Sequence, residues 1–151
     1  METKELPLFN FGQSVCGATG YSRWTMDANA SPASFSADLS GCEALPVLTG
    51  DEVADLFISA LDRAGATIVE AVSHAFPKTG LTCVLILRES HAVLHTWPET
   101  GTVNIDIFSC STRLRSLAAI AELGRSLGAA GVSVQEIPRA DGRGSQSLRR
   151  P

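Results

Sequence analysis

Between residues 67 and 109 the chain is a succession of short apolar runs joined by even shorter links, and this limits the folds open to it. The runs cover 67–73, 81–88, 92–96 and 103–109, all rich in Val, Ile, Leu and Thr, the residues that suit a pleated, half-buried surface. Pro77-Lys78-Thr79-Gly80 and Pro98-Glu99-Thr100-Gly101 separate two pairs of them. Proline and glycine in such links favour tight turns. A link this short cannot hold a crossover helix, so neighbouring runs pair antiparallel. Residues 35–40 alternate apolar and polar, and 132–137 repeat the strand signal near the other end.

Two helices interrupt the strands. Thr49-Gly50-Asp51-Glu52 reads as a capping box, with Leu48 and Val53 placed as a hydrophobic staple. Val53, Leu56, Phe57, Ala60, Leu61 and Ala64 then recur at helical spacing, and Gly65 supplies a stop. A second helix is expected over 112–127, with Leu114, Leu117, Ala118, Ala121 and Leu127 inward and Gly128 closing it. The order strand, helix, several strands, helix, strand predicts an α+β fold. It is a two-layer α/β sandwich, a mainly antiparallel sheet with helices on one face. The expected division is an irregular extension over 1–34, one domain over 35–138, and a flexible basic tail over 139–151.

Composition narrows the function. Apolar residues are 44% of the 151 and the formal net charge is −4. The only basic cluster is the Gly- and Ser-diluted tail with Arg139, Arg143, Arg149 and Arg150, which reads as a solvated terminus. Nucleic acid is therefore not an expected partner. No stretch has the roughly 18 consecutive apolar residues of a membrane span, and the first residues lack the pattern of a signal peptide. A cytoplasmic location is expected. The four cysteines, Cys16, Cys42, Cys83 and Cys110, show no paired metal-ligand spacing and read as free thiols. No metal is expected, although His91, His95 and Cys110 are a conceivable ligand set. Dinucleotide and nucleophile-elbow motifs are absent.

The chemistry left to the chain lies in 74–110. Glu89-Ser90-His91 follows one apolar run, His95 lies five residues beyond Ser90, and Cys110 lies twenty beyond it. The Ser90 hydroxyl sits close to the Glu89 carbonyl. Attack there would turn the amide into an ester, and removal of the Ser90 α-proton would break that ester by β-elimination. The products are a chain ending at Glu89 and one beginning with a pyruvoyl group. An imidazole such as His95 suits the base, and a hydroxyl such as Thr82 suits the oxyanion. The new ketone could take an amino-acid substrate as a Schiff base and act as its electron sink. A thiol such as Cys110 is acidic enough to return a proton. Each residue alone has an ordinary structural reading, and the strand order decides whether they meet.

Three blocks make the resemblance specific. They are Glu89-Ser90-His91, then His95-Thr96-Trp97-Pro98-Glu99, then Asp106-Ile107-Phe108-Ser109-Cys110. In sequence and spacing the chain resembles the bacterial and archaeal family of S-adenosylmethionine decarboxylase proenzymes, with a weaker likeness from about Phe35 to Ile137. The resemblance implies cleavage between Glu89 and Ser90, a covalent pyruvoyl cofactor derived from Ser90, processing served by His95 with Thr82 in support, and Cys110 as proton donor. It also implies that Phe76 stacks on adenine, Trp97 walls the pocket and Glu99 binds the ribose hydroxyls. An aromatic face and a carboxylate suit a sulfonium-bearing adenosyl ligand. The implied assembly is a homodimer of αβ protomers whose two halves build each pocket together. The implied role is to supply aminopropyl groups for spermidine synthesis.

Some positions depart from the family pattern. Thr82 stands for serine, Ser73 for an aromatic, Thr100 and Thr102 for tyrosines, and Ser111 for glycine. Relatives that decarboxylate arginine or ornithine with the same cofactor supply the alternative reading. A non-catalytic heterodimer partner is a third, against which the intact Ser90, His95 and Cys110 stand.

Overall fold

The computed structural model describes residues 32–77, 80–88, 90–110 and 114–139. The expected N-terminal extension and basic tail fall almost wholly outside these residues. Six strands and two helices follow in the order β1 (Ala33–Ser40), α1 (Gly50–Arg63), β2 (Ile68–Phe76), β3 (Gly80–Leu87), β4 (Ser90–Trp97), β5 (Thr102–Ser109), α2 (Ser116–Ser126) and β6 (Gly131–Pro138), with a 3-10 turn at Leu45–Val47. The strands form one sheet in the order β2-β3-β4-β5-β1-β6, and every neighbouring pair is antiparallel. Three successive hairpins place β2 to β5 side by side. The link through α1 separates β1 from them, and β1 inserts beyond β5.

Alternation along the strands sorts the two faces. Leu39, Leu81, Cys83, Leu85, Leu87, Ala92, Leu94, Val103, Ile105 and Ile107 are buried and share the face that meets the helices. Phe57, Leu61, Ile120 and Leu123 cover them from the helical layer. Among the described residues, the opposite face has no helix on it. It carries Val72, Phe76, Ile86, Trp97 and Ile137, all exposed.

Helix α1 forms where its signals lie. The Thr49 hydroxyl accepts the Glu52 amide at 3.2 Å, and the Glu52 carboxylate accepts the Thr49 amide at 2.8 Å. At the other end Gly65 has φ +97°. Its N–H donates to Asp62, and the Ala66 N–H donates to Leu61. This closing pattern satisfies carbonyls that a helix end otherwise leaves open, and it requires a residue that tolerates a left-handed backbone. The hydrogen bond from the Thr49 backbone, followed by that from its hydroxyl, holds the Glu52 carboxyl below its ordinary value of 4.5. A folded-state value below the unfolded one makes the cap fully effective above that ordinary value and weakens it as pH falls through the depressed one. Loss of the N-cap hydroxyl in Thr49→Ala should cost about 1 kcal/mol in a urea melt at pH 7. The difference from the parent protein should shrink when both are melted at acid pH.

Helix α2 differs from the expectation. It begins at Ser116, four residues later than expected, and buries Ser116, Ala119, Ile120, Leu123 and Gly124. Leu114 and Leu127 are buried as expected. Leu117, Ala118 and Ala121 instead face outward, with Leu117 54% exposed. The reason is steric. Gly124 packs directly against the sheet, and a Cβ there would sit 3.3 Å from the Val132 side chain. The smallest residues therefore mark the inner stripe, and a search for leucines misses it. The strands also run past their expected limits: β2 includes His74 and Phe76, and β4 begins at Ser90 and ends at Trp97.

Candidate active site

The residues expected to act together fall into two groups at opposite ends of the sheet. Ser90 opens β4 directly after the hairpin from β3, paired with Leu87, and is partly buried. Continuing the β4–β5 register beyond His91↔Phe108 puts Ser90 opposite Ser109, with Cys110 one step further. Cys110 is 5% exposed. Glu89, the other side of the expected cleavage bond, lies outside the described residues. His91 faces the helix-free side beside Phe108, ring centroids 5.7 Å apart, and Arg139 stands 5.9 Å over the same Phe108 ring.

His95 is five positions along β4 from Ser90. At about 3.3 Å per residue the two are roughly 16 Å apart, far beyond the ~3 Å reach of a proton transfer. An odd separation also gives the two side chains opposite faces. His95 pairs instead with Thr82 across the β3–β4 ladder, and the Thr82 hydroxyl meets its Nδ1 at 2.8 Å. That contact occupies Nδ1 and leaves Nε2 as the nitrogen able to act on another group. The hydroxyl and imidazole expected to support processing are thus one preassembled pair.

A polar row crosses the helix-free face at this level. The registers align His74, Thr82, His95, Asn104, Asp38 and Ser133 on successive strands from β2 to β6. Trp97 lies beside this row, one same-face step beyond His95. Its indole N–H donates to Asn104 Oδ1 at 2.7 Å, and Asn104 Nδ2 donates to Asp38 Oδ1 at 2.7 Å. Asn104 and Asp38 escape a reading of the sequence alone. Each is one polar residue in an alternating strand, and only the register reveals that they share a row.

The aromatic residues gather at the same end. Phe76 ends β2 opposite Gly80, and its ring meets the His74 ring edge-on at 4.6 Å. Phe76 and Trp97 are 45% and 47% exposed, so each ring offers free surface. Strand β3 separates theirs, which sets their backbones roughly 10 Å apart, a gap wide enough for a flat ring. Glu99 is exposed in the turn after Trp97. A cleft of about 260 Å3, lined by Leu48, Val53, Ala75, Phe76, Leu81 and Pro98, opens beside them. Gly80, at φ +115°, fits against Thr96 because it lacks a Cβ; a methyl there would overlap the Thr96 carbonyl. The buried Thr96 hydroxyl accepts the Leu81 N–H at 2.9 Å and ties the strands together at this rim.

Among the described residues, the other thiols belong to the core. Cys42 and Cys83 are free and buried, and burial raises both above the ordinary thiol value. Among the described residues no group of three or more His, Cys, Asp and Glu is gathered to hold a metal. No helix among them is long and apolar enough to cross a membrane.

Known proteins share both sequence and fold with this chain. Residues 33–140 match the family described as S-adenosylmethionine decarboxylase. The S-adenosylmethionine decarboxylase proenzyme of Clostridium tetani is 30% identical over 103 residues, covering 68% of this chain and 82% of that protein. Its counterpart in Acidithiobacillus ferrooxidans is 35% identical over 103 residues, covering 68% and 77%. The crystal structure of the adenosylmethionine decarboxylase from Aquifex aeolicus superimposes with a TM-score of 0.67 at 23% identity, covering 82% of this chain and all of that one, and so shares the fold. The chain is an enzyme of the decarboxylase class, built as a two-layer α+β sandwich. It belongs to the S-adenosylmethionine decarboxylase family.

Proposed function

We propose that the chain cuts itself between Glu89 and Ser90, converts Ser90 into a pyruvoyl group, and uses that group to decarboxylate S-adenosylmethionine for spermidine synthesis. The observation that carries the reading is the Thr82–His95 pair at 2.8 Å. It is a hydroxyl and an imidazole held together across two strands, in a chain that presents Ser90 at a hairpin exit.

Self-cleavage asks four things of the residues. The Ser90 Oγ attacks the Glu89 carbonyl carbon, the C–N bond breaks, and an ester replaces the amide. The Thr82 hydroxyl stabilises the charge on the carbonyl oxygen. His95 removes the Ser90 α-proton, and the ester oxygen departs as the new carboxylate of Glu89. Water then adds to the resulting dehydroalanine and ammonia leaves, giving the pyruvoyl end. Once formed, that group supplies an electron-withdrawing ketone able to accept an amine and the electrons released with CO2. Phe76 and Trp97 bind the adenine end, Glu99 accepts from the ribose hydroxyls, and Cys110 returns a proton to the carbon that lost CO2.

Ser90 and His95 of one chain are too far apart for these roles, which favours a homodimer. A two-fold axis parallel to the sheet's helix-free face, running across the strands between two such faces, would lay the Ser90 end of one copy over the His95 end of the other. The exposed Val72, Ile86, Trp97 and Ile137 on that face supply apolar area for such a contact. A cytoplasmic location suits free thiols at Cys42 and Cys83.

Cys110→Ala separates the two chemistries. The variant should still cleave, while CO2 release from S-adenosylmethionine falls by about 10²–10⁴, the usual worth of a positioned acid. Arginine and ornithine run in parallel should give no CO2 with the parent protein. Release from either of them, with none from S-adenosylmethionine, would reassign the substrate.

A further inference from the structure

We propose that Asn104, anchored by Asp38, is a positioning residue that fixes the Trp97 indole and so sets affinity for the adenosyl end of the substrate. The inference rests on the reading of Trp97 as a pocket wall. Its own evidence is the three-residue chain of hydrogen bonds on the helix-free face. Trp97 Nε1 donates to Asn104 Oδ1 at 2.7 Å, and Asn104 Nδ2 donates to Asp38 Oδ1 at 2.7 Å.

The chemistry of the three side chains dictates the direction of this chain. An indole N–H only donates and an ionised carboxylate only accepts. Between them the linking group must accept on one side and donate on the other, which an amide does and a carboxylate, an aliphatic chain or an ammonium does not. The two neighbours also fix which way the Asn104 amide points. The bond to Asp38 is charge-assisted, which strengthens the hold on the amide.

The placement suits the task. Asn104 is in register with His95 on one side and Asp38 on the other. It sits diagonally from Trp97, which is itself paired with Thr102. Within its own chain Trp97 is 47% exposed, so packing inside the protomer does not fix its ring. Ordering a half-exposed aromatic before the ligand arrives spares that cost at binding. A residue acting this way touches the wall and not the reacting atoms, so it shifts KM and leaves kcat nearly alone.

The test compares Asn104→Ala, Trp97→Phe and the double variant in steady-state decarboxylation of S-adenosylmethionine. Trp97→Phe keeps an aromatic face and removes the indole N–H. Asn104→Ala should raise KM about tenfold, the size of one net hydrogen bond, with kcat within about twofold and self-cleavage complete. Trp97→Phe should do the same, and the double variant should be no worse than the poorer single one, because both remove the same interaction. Asp38→Asn keeps an acceptor for Asn104 and should restore a KM close to that of the parent, whereas Asp38→Ala should not. An unchanged KM in Asn104→Ala, or multiplicative losses in the double variant, would overturn the proposal. A second readout is independent of turnover. In a Trp24→Phe background Trp97 is the sole tryptophan, and Asn104→Ala should make its fluorescence more accessible to acrylamide. Unchanged quenching contradicts the anchoring. A parent protein that quenches as expected but never decarboxylates S-adenosylmethionine would instead remove the functional reading and leave the anchoring in place.

Discussion

Ser90→Ala should remain a single chain of 151 residues and should release no CO2 from S-adenosylmethionine. Alanine keeps the start of β4, where Ser90 is paired with Leu87 and only partly buried, so stability should change little. What disappears is the one hydroxyl that can attack the preceding carbonyl. Neither of two described hydroxyls nearby replaces it. Ser109 lies on the adjoining strand with a different carbonyl before it, and Thr82 lies on the other face, engaged with His95 at 2.8 Å. On the proposed mechanism the effect should be all or none, because the same residue would supply both the cleavage and the cofactor. Intact mass and a circular dichroism spectrum read it directly. A cleaved, folded Ser90→Ala protein would show that another group makes the cut.

Two inactive chains should rescue each other. His95→Ala alone should stay whole, and so should Ser90→Ala alone. Co-expressed, the His95→Ala chain should be cut while its Ser90→Ala partner stays whole. This follows from distance. Ser90 and His95 are separated by five strand positions, roughly 16 Å at the usual rise, and rotamer changes span only a few ångströms. If the base reaches Ser90, it comes from a second copy. In the mixed dimer one of the two composite sites then holds both an intact Ser90 and an intact His95. The other holds neither. Distinct affinity tags on the two chains let intact mass report which one was cut. No cleavage in a verified mixed dimer would contradict the composite site, and would mean that His95 acts within its own chain after rearrangement of β4.

Much of the fold was legible because its signals are local. The capping box at Thr49 and the stop at Gly65 mark α1, and the short links at residues 77–80 and 98–101 make hairpins. Antiparallel pairing and helices on one face follow from these. Helix α2 was less legible because its inner stripe is made of Ser116, Ala119 and Gly124 as well as Ile120 and Leu123. Close approach to the sheet selects small residues there, and Leu117 is left outside. The site divided in the same way. Ser90, His95 and Cys110 stand out by motif and spacing. Their separation into two ends of the sheet depends on parity and register, which no single segment reveals. Asn104 and Asp38 lie 66 residues apart in sequence and meet only because β1 inserts beside β5.

The most direct test of the central claim is the intact mass of the purified parent protein under denaturing conditions. Two fragments are predicted, residues 1–89 with a free carboxylate on Glu89 and residues 90–151 beginning with a ketone. The second fragment should be lighter by one ammonia than a serine-ended peptide and should react with phenylhydrazine. A single unbroken chain from a folded preparation that retains Ser90, Thr82 and His95 would contradict the account.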